Sequence, residues 1–132
     1  MKIILYSTLF YVLSFASATE LTAQRLAVPD FVTCDRNKLT SWQGEVTKLR
    51  QSDNGIELGI ATDYGTSESL KLTMPSWQDT LGQFRLQGQV FQAGDWEKIV
   101  DPRGSLKPRV RAVIWLCEIE GYPPIINWQP PL

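Results

Sequence analysis

The chain has 132 residues, 13 Lys and Arg against 14 Asp and Glu, two cysteines and no histidine. This near-neutral balance lacks the basic footprint of a nucleic-acid binder, and no run of like charge marks an acidic or basic tail. Without histidine there is no Ser-His or Cys-His nucleophile system and no ordinary neutral-pH base, and two thiols alone do not make a zinc site.

Lys2 opens the chain, Ile3 to Phe15 is mostly apolar, and Ala16-Ser17-Ala18 supplies small residues at the positions a signal peptidase reads. This order predicts a signal peptide over residues 1–18, cleaved after Ala18. The apolar run falls short of the roughly 20 residues that a spanning helix needs; the alternative is a retained anchor. Cys34 lies far past that run, behind Phe31-Val32-Thr33, so no lipidation box is present. Taking 18 residues from 132 leaves 114, enough for one domain, and losing Lys2 leaves 12 basic side chains against 14 acidic, a net charge of −2. The expected destination is periplasmic or extracellular. That compartment is oxidising, so Cys34 and Cys117 read as a disulfide; the alternative is two buried free thiols. A loop of 83 positions would contribute about 4 to 5 kcal/mol in the chain-entropy model.

Residues 19–40 read as an extended leader and 41–132 as one β domain with a proline-rich tail. In Ser41 to Ser52, Trp42, Gly44 and Val46 share a face, and the pattern shifts at Leu49, the mark of a bulge or strong coiling. Ser52-Asp53-Asn54-Gly55 is a hairpin signal, because Asn-Gly tolerates the positive φ of a primed turn. Ile56, Leu58 and Ile60 alternate in a second strand, Asp63-Tyr64-Gly65-Thr66 turns the chain, and Leu70, Leu72 and Met74 alternate in a third. Ser76 is placed to cap a short helix through Trp77 and Leu81, weakened by Gly82. Phe84, Leu86, Gly88 and Val90 resume the strand period. Asp95 to Val100 suits a helical turn capped by Asp95 or a strand, and Asp101-Pro102-Arg103-Gly104 is a turn. Val110, Ala112, Ile114 and Leu116 form the core face of the last strand, with Arg109, Arg111, Val113, Trp115 and Cys117 opposite. Four prolines among Tyr122 to Pro131 exclude a helix and predict an extended surface tail.

Three strands on tight turns, a helical connector and further strands form an all-β or mainly β pattern. Over Ser41 to Ile119 this order, with Gly44 inside the first strand, resembles a small exported bacterial OB-fold-like domain. The resemblance implies a small barrel; a small β-sandwich is the alternative.

No phosphate-cradling glycine loop occurs, and no cofactor or metal is implied. Glu118 and Glu120 are spaced for one strand face, but they stand at a strand end before Gly121 and read as solvated. Asp63 beside Tyr64 and Gly65 lacks calcium-loop spacing. Lys107, Arg109 and Arg111 have strand spacing, which suits capture of an acidic partner or an anionic sugar, or else a solvated edge that discourages aggregation. Five tryptophans do not all fit one small core: some are expected at a binding surface, others beneath the leader and tail. The candidate binding surface is Tyr64, Trp77, Trp96, Lys107, Arg109 and Arg111. The disulfide is expected to pin the leader across the outer face of the last strand, with Phe31 and Val32 over Trp115. These features point to an exported, non-catalytic binding or interaction domain whose partner, a protein or glycan, is unknown, with no nucleic acid expected. The alternative is a histidine-free hydrolase using carboxylates.

Overall fold

The computed structural model describes residues 27–132; the expected signal peptide and the leader up to residue 26 lie outside the described residues. Strands β1 (Leu39–Gln51), β2 (Gly55–Thr62) and β3 (Ser67–Thr73) form the expected antiparallel meander. The register between β1 and β2 shifts between Val46 and Lys48, the bulge that the pattern break at Leu49 predicts. Gly44 faces the β2 backbone so closely that a Cβ there would stand 2.0 Å from the Ala61 carbonyl oxygen.

The first hairpin closes through the Ser52 N–H on the Gly55 carbonyl, 2.9 Å, but neither Asn54 nor Gly55 has positive φ. Gly55 serves close approach instead, since a Cβ would stand 2.2 Å from the Leu72 carbonyl oxygen. The positive-φ pair is Gln87 (φ 47°) and Gly88 (φ 81°). It joins β4 (Phe84–Leu86) to β5 (Gln89–Val90). The single strand expected over Phe84 to Val90 is therefore a small hairpin, because this pair supplies the backbone of a primed turn.

Helix α1 (Trp77–Gly82) starts where expected, with the Ser76 hydroxyl accepting from the Asp79 N–H at 3.1 Å. Thr80 Oγ1 donates to the Asn54 carbonyl at 2.6 Å, which ties the helix to the first hairpin. Ala93–Lys98 is a 3-10 helix. Asp95 sits inside it rather than ahead of it, and its carboxylate accepts from the Gln92 N–H at 2.8 Å. In the Asp101 turn, Oδ1 accepts from the N–H groups of Arg103 and Ser105.

Strands β6 (Arg111–Cys117) and β7 (Ile125–Gln129) complete one sheet of order β3-β2-β1-β6-β7-β4-β5. Strand β7 corrects the expected surface tail. Pro123-Pro124 and Pro130-Pro131 bracket it, so the residues between keep their ladder donors. Ile126 and Trp128 point inward and are fully buried. β7 pairs antiparallel with β6 and parallel with β4. The chain is mainly β with a short helical connector, but the sheet is not closed into a barrel. β7 is paired on both sides and the β4–β5 hairpin carries the sheet onward, so β3 and β5 stand at opposite edges, and among the described residues no strand pairs with the outer side of β3. Among the described residues there is no second sheet to make a sandwich.

The main core holds Val46, Ile56, Ile60, Phe84, Ile114 and Trp128, with α1 and the 3-10 helix packed over it. A second cluster lies on the opposite face of β6, where Val32 and Cys34 cover Val113 and Trp115, flanked by Phe31 and Leu39. Cys34 and Cys117 form the disulfide, with Cα atoms 5.9 Å apart, inside the range such bonds allow. The leader thus lies across the outer face of β6, as parity requires. Leader and strand meet earlier than expected, with β1 starting at Leu39. Among the described residues no helix is long and apolar enough to cross a membrane.

Candidate binding surface

The six candidate residues fall in three places. Trp77 and Trp96 are half-buried and pack edge to face, ring centroids 5.3 Å apart. Trp96 also stacks on Phe84 and donates its indole N–H to Gln51 Oε1 at 3.1 Å. Both close one end of the main core. Trp42 packs partly buried against the same core, Trp128 lies inside it, and Trp115 is the tryptophan covered by the leader.

Tyr64 occupies the tip of the β2–β3 turn and is 81 % exposed. Gly65 (φ 86°) turns the chain there, and the Thr62 N–H donates to the Thr66 carbonyl at 2.8 Å. A cleft of about 580 Å³ separates this turn from the leader, lined by Tyr64, Val28, Arg36, Leu39, Ser41 and Trp115. Arg111 lies at this side of the molecule, bound through Nη2 to Asp63 Oδ2 at 2.5 Å. Asp63 is thus a turn residue and an ion-pair partner.

Lys107 and Arg109 do not extend the Arg111 face. β6 starts at Arg111. Ahead of it, a Val100–Leu106 bridge and a left-handed Arg109 (φ 61°) redirect the chain, so the strand period stops. Both residues instead line a groove of about 460 Å³ with Lys98, Leu86, Pro130 and Pro131. Gln87 also lines it, so the two non-glycine residues with positive φ among those described share this groove. Lys98 Nζ lies 3.1 Å from Asp95 Oδ1. Lys107 and Arg109 make no ion pair among the described residues. The Gln92 N–H, and then Lys98, hold the Asp95 carboxyl below the usual carboxylate range.

Lys98 escaped sequence reading because its segment read equally as helix or strand, and only the fold brings it to Lys107. β6 ends at Cys117, and Glu118 and Glu120 follow in an exposed turn rather than on one strand face. Among the described residues no three acidic or thiol side chains converge as a metal site would need. No protein-family model, curated protein or solved structure matches this chain.

Proposed function

We propose that this chain is an exported, non-catalytic binding domain that captures a ligand bearing carboxylate, sulfate or phosphate groups, on a protein or a glycan. The observation that carries this reading is the groove in which Lys98, Lys107 and Arg109 converge beside the apolar walls of Leu86, Pro130 and Pro131. Asp95 already pairs with Lys98, but Lys107 and Arg109 make no ion pair among the described residues, and two such cations beside one concavity raise the local concentration of anionic ligands. Left-handed backbone at a non-glycine residue costs about 1–2 kcal/mol, and two such residues border this groove. Export rests on Lys2, the apolar run and Ala16-Ser17-Ala18, and the Cys34–Cys117 bond suits an oxidising compartment. The likeness to exported OB-fold-like domains belongs to the same reading, supported by the three-strand meander, the helical connector and Gly44.

The test is a calorimetric titration of the mature chain with polygalacturonate, dextran sulfate and polyglutamate, with neutral dextran as control. Binding should weaken as salt rises and fall about tenfold or more in Lys107→Ala/Arg109→Ala, since each lost charged contact is worth about 1 kcal/mol. Equal binding of neutral dextran, or an unaffected double variant, would refute the assignment. Hydrolysis of these polymers that is lost on changing one carboxylate would favour the enzyme instead.

A further inference from the structure

An open sheet has two edges. The β5 edge is two residues long, Gln89–Val90. The β3 edge is seven, Ser67–Thr73, pairs with β2 in unbroken register and contains no proline. Among the described residues its backbone makes no hydrogen bond outside the β2 ladder. A regular strand of this length presents unpaired N–H and C=O groups to any extended segment of matching chemistry.

The cross-strand register says what that chemistry is. Arg50, Glu57 and Lys71 form one row across β1, β2 and β3, and Lys48, Gly59 and Ser69 form the next. Glu57 is the only acid among them, and Arg50 and Lys71 both pair with it. Lys48 has no acidic partner among the described residues. These six residues line a groove of about 800 Å³. Because Gly59 and Ser69 are small, the floor beside Lys71 stays open up to the β3 edge.

We infer that the β3 edge accepts an extended acidic segment of a partner protein as an added strand, with a carboxylate side chain opposite Lys71. A second copy of this chain is the less suitable occupant. Antiparallel self-pairing about Leu70 would set Lys71 of each copy opposite Ser69 of the other, so that the two lysines share one face, while Glu68, the acid of this strand, lies on the opposite face. Lysine at an edge opposes that kind of pairing, while the same charge attracts an acidic strand. The site is separate from the Lys98, Lys107 and Arg109 groove.

The test uses the oxidised mature chain and a capped eight-residue peptide of alternating valine and glutamate, with a valine–lysine peptide as control. The acidic peptide should slow amide exchange within residues 67–73 and leave the Lys107–Arg109 segment unchanged. Lys71→Glu should weaken it about tenfold, since a cross-strand charge pair is worth up to about 1 kcal/mol and reversal turns attraction into repulsion. The same variant should gain affinity for the lysine peptide, a change that misfolding would not produce. Absence of protection in residues 67–73, or an unchanged response in Lys71→Glu, overturns the inference. So does acidic-peptide binding abolished by Lys107→Ala/Arg109→Ala, which would place the peptide in the other groove. Protection of 67–73 without peptide, rising with protein concentration, would assign the edge to self-association and overturn it too.

Discussion

Breaking the Cys34–Cys117 bond should release the leader before the sheet melts. The leader's own contacts are few. Val28, Phe31 and Val32 pack against the outer cluster, and burying each contributes about 2 kcal/mol, roughly 6 in all. Ordering the backbone of residues 28–35 costs about 1 kcal/mol per residue, roughly 8. The two nearly cancel, so without the bond the leader has almost no net preference for lying on β6. The bond also closes 83 positions, worth about 4.5 kcal/mol against global unfolding. For a domain of this size that lowers the melting midpoint by about 15–20 °C. The assay is amide exchange with tryptophan fluorescence on oxidised protein and on Cys34→Ser/Cys117→Ser, at a temperature where the Ile60 and Ile114 amides stay protected. The variant should lose protection over residues 30–38 and shift its emission to the red as Trp115 meets water. Equal protection of that segment in both proteins would show that the leader's contacts suffice, and would refute the reasoning.

Gly44→Ala should destabilise the domain by about 1–3 kcal/mol or more in chemical denaturation, because its Cβ would meet the Ala61 backbone carbonyl, which cannot swing aside. Gly82→Ala should instead stabilise by about 0.4–1 kcal/mol, since its Cβ meets nothing within 4 Å and its φ is not positive; equal midpoints for the two variants would contradict this contrast. Asp95, its pKa lowered by the Gln92 N–H and by Lys98, binds its proton more weakly folded than unfolded. Its contribution is therefore complete above the ordinary carboxylate pKa and is lost as pH falls through the lowered folded value. Asp95→Asn should narrow the gap in melting midpoint between neutral pH and about pH 3, and an unchanged gap would count against the assignment.

What the sequence determined by itself was what local chemistry controls. Alternation at Ile56 to Ile60 and Val110 to Leu116 placed strands, Ser76 placed a helix start, the break at Leu49 placed a bulge, and the parity of Cys117 placed the leader. Each depends on side-chain period or on a neighbour a few residues away. What only the tertiary structure decided was how distant segments meet. The proline-rich tail enters the core because Ile126 and Trp128 find the β6 inner face and a parallel partner in β4. That pairing occupies β7 on both sides and leaves the sheet open at β3, which no local pattern discloses. The expected stripe of Lys107, Arg109 and Arg111 divides for the same reason. A left-handed Arg109 ends the strand period, Asp63 takes Arg111 from 48 positions away, and Lys98 reaches Lys107 only through the folded chain.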